Sequence, residues 1–151
     1  MTMRFPAEFD SASEADTRAA GRALAAELET GDVVALTGGL GSGKTVFVRG
    51  IAEGLGADPG AVASPTFALL HEYDCARTGG LVHLDLYRIA DDERELAELG
   101  LPDLLDGKIG AVEWPGPTAA RVLRFRYRVA LEAPDASRRR IRIESAGRDA
   151  R

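Results

Sequence analysis

The sequence contains no asparagine, no glutamine and a single cysteine, Cys75. One cysteine excludes an internal disulfide, which fits a reducing compartment. No apolar run approaches the ~18 residues that a membrane span needs, and the chain does not open with a signal-peptide pattern. We therefore expect a cytoplasmic protein with no membrane association.

The residues that are present indicate one ordinary globular domain. The chain has 151 residues, of which 45% are hydrophobic and 28% are charged. That length fits the usual ~100–200 residues per domain and can bury a core without metals or disulfides. We expect a single domain over residues 1–146 and a frayed tail over 147–151.

The net charge of −5 is unevenly distributed. The segment from Arg121 to Arg151 holds ten arginines and four acids, whereas the remainder holds nine basic and twenty acidic residues. Such separation can mark a surface for nucleic acid or a protein partner. Two Arg-rich, half-exposed strands would explain it equally well.

Apolar patterning predicts an α/β fold with a mainly parallel central sheet and antiparallel additions. Residues 33–36 and 109–112 are short, continuous apolar runs, which are typical of buried parallel strands. Residues 67–74 and 81–86 flank a glycine turn and predict a hairpin. The remaining predicted strands cover 3–10, 125–131 and 138–144, and the predicted helices cover 13–29, 44–55 and 91–99.

The loop between the first buried strand and the next helix matches G-x-x-x-x-G-K-[ST], the P-loop motif. Its residues are Gly38, Gly39, Leu40, Gly41, Ser42, Gly43, Lys44 and Thr45. The glycines allow backbone N–H groups to point at phosphate, and the following helix adds its positive end. Lys44 would neutralise phosphate charge and the Thr45 hydroxyl would coordinate Mg²⁺. The motif therefore predicts a nucleoside triphosphate site.

Two acids follow apolar strands, as Mg²⁺ binding and hydrolysis require. Asp85 ends the run Leu81–Leu84, and Glu113 ends the run Ile109–Val112. One of them would hold Mg²⁺ and the other would orient water, and the sequence alone does not assign which. A salt bridge at the strand end is the alternative for each.

Other polar candidates surround this pair. The Thr66 hydroxyl, in Ser64-Pro65-Thr66, could sense the γ-phosphate or Mg²⁺, although this tripeptide alone predicts only a turn. We place His83 off the face that carries Asp85, and we interpret it as a structural histidine rather than a catalyst.

The absence of asparagine and glutamine indicates which class of nucleotide-binding protein this is. Without asparagine there is no Asn-Lys-x-Asp motif to read guanine, and without glutamine there is no Ras-like water-orienting residue. These absences favour ATP over GTP. A small-molecule kinase remains the main alternative, although no Arg-rich lid insert is evident. A nucleotide-gated RNA-binding module, using the arginine-rich tail, is a third.

The order of the motifs resembles one family. Gly31-Asp32-Val33, the P-loop, Ser64-Pro65-Thr66-Phe67, His83-Leu84-Asp85-Leu86-Tyr87-Arg88 and Glu113-Trp114-Pro115 follow one another at compact spacing. This series resembles the TsaE (YjeE) family, the bacterial ATPases of tRNA threonylcarbamoyladenosine biosynthesis.

The resemblance implies a cytoplasmic Mg-ATPase that acts with a TsaB–TsaD-type complex, which transfers threonylcarbamoyl to an adenosine of tRNA. The ATPase would support turnover by that complex and would contact tRNA weakly or indirectly. Carried over by motif, Lys44 binds phosphate, Thr45 and Glu113 surround Mg²⁺, Asp85 joins the catalytic cluster and Thr66 acts as a switch. Trp114 would lie beside the nucleotide, or else pack under the sheet.

The chain departs from the family pattern inside the loop. The family usually has Asp after the first glycine and often a second Thr after the Lys-Thr pair. This chain has Gly39 and Val46 at those positions. Neither change removes a phosphate or metal contact that the motif requires, but Gly39 puts the role of the family's carboxylate in doubt.

Overall fold

The computed structural model describes residues 3–58, 70–87, 89 and 92–146, which form seven strands and five helices. The strands are β1 (Ala7–Ser11), β2 (Val33–Thr37), β3 (Leu70–Tyr73), β4 (Leu81–Asp85), β5 (Ile109–Glu113), β6 (Tyr127–Glu132) and β7 (Arg139–Ser145). The helices are α1 (Glu14–Ala25), α2 (Lys44–Gly54), α3 (Glu93–Glu98), α4 (Leu101–Leu105) and α5 (Pro117–Leu123).

The strands form one sheet in the order β1-β7-β6-β2-β5-β4-β3. The four central strands, β6, β2, β5 and β4, run parallel to one another. The outer pairs β6–β7, β1–β7 and β3–β4 are antiparallel. The predicted α/β fold, with a parallel core and antiparallel additions, is confirmed.

Helices cover both faces of β2, β4 and β5, so these three strands are buried on each side. Alternate residues of β2 show the division: Val34 and Leu36 join the core beneath α1 and α2, whereas Val33 and Ala35 join the core beneath α3, α4 and α5. Burial on both faces explains why β2 and β5 are continuous apolar runs rather than alternating ones. The carboxyl ends of these strands therefore meet at one edge, where α2 begins.

Helices α1 and α2 touch backbone to backbone through two glycines. A Cβ atom on Gly21 would lie 2.3 Å from the carbonyl oxygen of Phe47, and one on Gly50 would lie 2.1 Å from that of Arg18. No side chain fits at either contact, so the two helices can pack at this distance only with glycine there. This contact holds α2, whose first residues are Lys44 and Thr45, firmly over the sheet.

The outer face of β1, β7 and β6 carries charged residues of both signs. Arg142 of β7 forms ion pairs with Glu8 on β1 at 2.5 Å and with Glu144 at 3.0 Å. The strand register also places Arg140 opposite Asp10 and Glu132. Of the two interpretations of the arginine-rich tail, this arrangement supports the half-exposed strands, because neighbouring acids match the arginine charge.

Several element boundaries differ from the expected ones. The helix predicted over 13–29 ends at Ala25, although Ser13 caps it as expected by accepting a hydrogen bond from the backbone of Asp16 at 3.1 Å. The first strand covers Ala7–Ser11 instead of 3–10. Three predicted segments lie partly or wholly outside the described part of the chain. These are the start of the strand predicted from 67 (residues 67–69), the first residue of the helix predicted from 91, and the predicted tail 147–151.

The sequence interpretation missed two short helices. Helix α4 follows Gly100, whose φ of 65° is left-handed, and helix α5 follows Gly116. Each has a proline in its first turn, where the absent N–H is no loss. Both are too short for a clear helical period. Within the described residues, no helix combines the length and the apolar character that crossing a bilayer requires.

Candidate nucleotide site

The P-loop connects the end of β2 to the start of α2, over the carboxyl edge of the sheet. Gly41 and Gly43 have φ angles of 74° and 103°, a left-handed region that other residues enter only with strain. Gly43 is followed directly by α2, and its carbonyl accepts from Phe47 at 2.9 Å. The backbone therefore turns sharply at the positive end of a helix, which is a favourable place for phosphate.

Lys44 is buried within this loop. Its Nζ atom donates to the carbonyl oxygens of Gly38 at 2.8 Å and Gly39 at 2.9 Å. Burial lowers the pKa of the Lys44 ammonium below its ordinary value, and the negative charges of Glu113 and Asp85 oppose that shift. The loop thus holds one ammonium group in a fixed position, close to two carboxylates.

The two strand-end acids lie side by side. Asp85 closes β4 and Glu113 closes β5, and the parallel register pairs them directly. Glu113 is only 4% exposed, whereas Asp85 is half-buried and accepts a hydrogen bond from the backbone of Tyr87 at 2.9 Å. The sequence prediction that both acids end neighbouring strands at one edge of the sheet is confirmed, while their chemical roles stay predictions.

His83 also belongs to this cluster, which the sequence interpretation missed. Placing His83 off the face that carries Asp85 was wrong, because residues two apart in a strand point to the same side. The Nε2 atom of His83 shares a hydrogen bond with the Oε2 atom of Glu113, and both side chains are buried. The two-residue spacing between His83 and Asp85 was the signal that could have revealed this placement.

Trp114 lies beside the phosphate loop rather than under the sheet. Its ring centroid is 4.3 Å from the Nζ atom of Lys44 and 4.9 Å from the ring of Tyr87. Its backbone has a left-handed φ of 58°, and its N–H donates to the carbonyl of Leu36 at 3.2 Å. This unusual backbone conformation turns the indole toward Lys44. Of the two expectations for Trp114, the geometry therefore supports a position at the nucleotide site over packing under the sheet.

A pocket of about 610 Å³ joins these groups to parts of the chain that carried no sequence motif. Its lining includes Lys44, Thr45, Asp85 and Glu113. It also includes residues around the start of α1, in the β6–β7 connection and at the first position of β7, which are Ala12, Ser13, Glu14, Thr17, Ala136, Ser137 and Arg139. The volume falls in the range of small-molecule and cofactor sites.

Arg139 ties the β6–β7 connection to the phosphate loop. Its Nη2 atom donates to the carbonyl oxygen of Gly41 at 3.0 Å, and its Nη1 atom donates to the carbonyl of Arg138 at 2.8 Å. Nothing in the sequence near Arg139 marks it as a site residue, because its partner lies 98 positions earlier. The contact braces the outer side of the loop.

Comparison with known proteins identifies the family. The sequence model of the family described as "Threonylcarbamoyl adenosine biosynthesis protein TsaE" matches residues 11–141. That match covers most of the chain, including the phosphate loop, both strand-end acids and Arg139. The chain belongs to the TsaE family. The resemblance inferred from the motifs is thereby confirmed.

Individual TsaE proteins are similar over most of their length. The chain is 39% identical to a tRNA threonylcarbamoyladenosine biosynthesis protein TsaE of Streptomyces coelicolor, over 76% of this chain and 78% of that protein. It is 38% identical to the Mycobacterium bovis protein of the same name, over 88% of this chain and 83% of the relative. The crystal structure of Bacillus subtilis YdiB superposes with a TM-score of 0.70 at 26% identity, covering 99% of this chain and 92% of YdiB.

The remaining TsaE candidates lie outside the described residues. These are Thr66, its neighbours Ser64 and Pro65, and Arg88. Gly39, where the family usually has Asp, is described, and a Cβ atom there would meet no atom within 4 Å. The loop of this chain therefore has room for the family's carboxylate without using it.

Proposed function

We propose that this chain is a Mg-dependent ATPase that supports a TsaB–TsaD-type threonylcarbamoyl transferase complex in making N6-threonylcarbamoyladenosine in tRNA. The names of its TsaE relatives support the pathway. The observation that carries the ATPase proposal is the meeting of Lys44, Asp85 and Glu113 in one pocket beside a glycine loop at a helix N-terminus. We place this activity in the cytoplasm, where the tRNA substrate is modified.

The phosphate loop supplies the binding energy for the triphosphate. Its backbone N–H groups and the N-terminus of α2 attract phosphate oxygens, and Lys44 adds a full positive charge. Lys44 is already desolvated by the loop. Phosphate oxygens would replace part of the hydration that the ammonium has lost, so its interaction with them is stronger than that of an exposed lysine.

The residues at the mouth of the loop fit Mg²⁺. The Thr45 hydroxyl and the Glu113 carboxylate are hard oxygen donors, the kind that Mg²⁺ prefers together with phosphate oxygens. Both line the pocket, and the Oε2 atom of Glu113 shares a hydrogen bond with His83. Thr45 and Glu113 would hold the ion. Bound there, Mg²⁺ would neutralise charge on the phosphate oxygens.

Asp85 is the second acid of the proposed mechanism. It is more exposed than Glu113 and lines the same pocket, so it can accept a hydrogen bond from water that attacks the γ-phosphate. Thr66 would sense the γ-phosphate as a switch, and Arg88 is the internal candidate for a charge-stabilising arginine. We expect slow hydrolysis to ADP and phosphate by the isolated chain, and faster hydrolysis when the partner complex completes the site.

The two lysines of this chain provide a matched test of ATP binding. Lys44→Ala should weaken Mg·ATP binding by about 1.5–3 kcal/mol, which is roughly 10- to 100-fold in Kd, because a charged hydrogen-bond donor is lost. Lys108→Ala should leave binding unchanged, since Lys108 only pairs with Glu72 away from the pocket. Titration calorimetry measures the affinity of each variant, because the emission of Trp114 would itself change when its contact with Lys44 is removed. Equal affinities in the wild type and Lys44→Ala would exclude the phosphate-loop assignment.

A second experiment tests the pathway. Phosphate release from ATP is measured with and without the TsaB and TsaD proteins of the same organism. The reactions also contain tRNA and an activated threonylcarbamoyl donor, and the tRNA nucleosides are analysed for threonylcarbamoyladenosine. Acceleration by the complex and ATP-dependent product formation are expected. No acceleration would contradict partner-completed catalysis. Transfer of the γ-phosphate to a small acceptor, instead of release as free phosphate, would favour the kinase alternative.

A further inference from the structure

The buried side chain of His83 restricts the orientation of the Glu113 carboxylate. His83 is fully buried and Glu113 nearly so, and the Nε2 atom of the ring meets the Oε2 atom of the carboxylate. A carboxylate that binds a metal ion can only accept hydrogen bonds, so the arrangement we propose requires the shared proton to be on Nε2. This bond occupies one carboxylate oxygen and thereby sets the direction of the other.

The strand register explains how the imidazole reaches Glu113. In the β4–β5 pairing, His83 lies opposite Ala111 and Asp85 lies opposite Glu113. Ala111 places only a methyl group opposite the ring, and the Nε2 atom meets the carboxylate of Glu113 two residues further along β5. Among the described residues, the Nδ1 atom of His83 is buried without a hydrogen-bond partner. Within that part of the chain, Glu113 is therefore the polar group that orients the ring.

We propose that His83 is a positioning residue, whose Nε2–H holds the Glu113 carboxylate so that its second oxygen faces the Mg²⁺ and triphosphate. This inference rests on the proposed function of the same pocket. A flexible glutamate would have to be ordered each time the metal nucleotide binds, whereas a hydrogen-bonded one is already in place. Partners that orient a ligating carboxylate in this way commonly contribute roughly 10- to 100-fold to metal affinity or activity.

Two substitutions separate positioning from simple core packing. His83→Leu removes the donor and retains an apolar group in the strand. His83→Gln retains an N–H group near the position of Nε2. His71→Leu is a proximity control. His71 lies directly opposite His83 in the β3–β4 pairing and stacks on Tyr73, so it tests whether any change beside the His83 ring has the same effect.

Nucleotide binding should distinguish these variants. In the presence of EDTA, ATP affinity should be the same in all four proteins, because the phosphate loop is unaltered. With Mg²⁺ present, His83→Leu should lose roughly 10- to 100-fold of the affinity that Mg²⁺ adds, and its kcat should fall to a similar degree. His83→Gln should recover most of both, and His71→Leu should match the wild type. Equal losses in His83→Leu and His83→Gln, or no loss in either, would overturn the positioning role.

A spectroscopic test needs neither metal nor nucleotide. Long-range ¹H–¹⁵N correlation of the imidazoles in the free protein should show a proton on Nε2 of His83, and Glu113→Gln should shift that resonance. His71→Leu assigns the signal by elimination. An unprotonated Nε2, or a resonance that ignores Glu113→Gln, would overturn the proposal even if His83→Leu fails to fold. Wild-type protein that binds no ATP would refute the proposed function instead, without changing this hydrogen-bond result.

Discussion

At the scale of single residues, Asp135 shows how hydrogen bonds can strongly lower the pKa of an exposed carboxylate. The hydroxyl and backbone N–H of Ser137, followed by Arg138, lower the pKa of Asp135 from 3.8 to about 2. The Oδ1 atom accepts from the Ser137 hydroxyl at 2.8 Å and from its N–H at 2.9 Å. These bonds order the β6–β7 connection, which lines the pocket.

This shift predicts a pH dependence. The folded pKa lies below the unfolded value, so the unfolded state binds more protons between the two, and stability rises with pH there. The stabilisation should be complete above pH 3.8 and should be lost as the pH falls through about 2. Carboxyl chemical shifts measured by NMR should give the low pKa, and Ser137→Ala should move it back toward 3.8. An Asp135 that titrates near 3.8 in the wild type would contradict the hydrogen-bond network.

Arg139, the first residue of β7, acts on the phosphate loop. Because its guanidinium donates to the Gly41 carbonyl at 3.0 Å, we expect Arg139→Ala to loosen the loop. ATP binding should weaken by about 1 kcal/mol, which is roughly five-fold, the usual contribution of one hydrogen bond. Titration calorimetry measures this change. Arg140→Ala is the control, since Arg140 lies on the outer sheet face opposite Asp10 and Glu132, and equal effects of both substitutions would contradict the bracing role.

At the scale of elements, the packing of α1 on α2 depends on glycine. A Cβ atom at position 50 would lie 2.1 Å from the carbonyl oxygen of Arg18, and backbone cannot move aside as a flexible side chain can. We expect Gly50→Ala to reduce the free energy of unfolding by about 1–3 kcal/mol, the usual range for an overpacked core. Urea denaturation measures the change.

Gly39→Ala is the matched control for this experiment. No atom lies within 4 Å of a Cβ atom at Gly39, so its stability should equal that of the wild type. A Gly50→Ala protein as stable as Gly39→Ala would mean that the helices separate easily, and that α2 is held over the sheet by other contacts.

Sequence patterns were most informative about the helices and strands. The strands β2 and β5 were predicted because burial on both faces requires uninterrupted apolar residues, as in Ile109–Val112. The short helices α4 and α5 were missed because a helix of one or two turns carries little periodicity. They are stabilised by burying Leu101, Leu105 and Ala119 against the sheet, which local sequence does not reveal.

At the scale of the whole molecule, the uneven charge of the sequence is largely balanced in space. The arginines of β7 lie beside acids on β1, on β6 and on β7 itself. Arg142 pairs with Glu8 of β1 and with Glu144 of its own strand, and Arg140 lies opposite Asp10 and Glu132. Acids so close reduce the attraction of this face for phosphate. This face therefore presents mixed charge, which agrees with half-exposed strands, the second of the two interpretations of the sequence, rather than with a basic surface.

This balance predicts weak tRNA binding by the chain alone. Anisotropy of labelled tRNA should show little association at physiological salt, and Arg142→Ala should change it little. A basic tracking surface would instead give tight binding that falls steeply with salt. That steep dependence, lost in Arg142→Ala, would support the RNA-binding alternative.

The sequence by itself determined the phosphate loop, the parallel core and the two strand-end acids. Each depends on local requirements: glycines where φ is positive, apolar runs where both faces are buried, and acids at strand ends. Only the tertiary structure decided that His83 pairs with Glu113, 30 positions away, and that Arg139 braces Gly41, 98 positions away. These contacts depend on strand register and on loops that the sheet brings together. Neither produces a periodic pattern in the sequence.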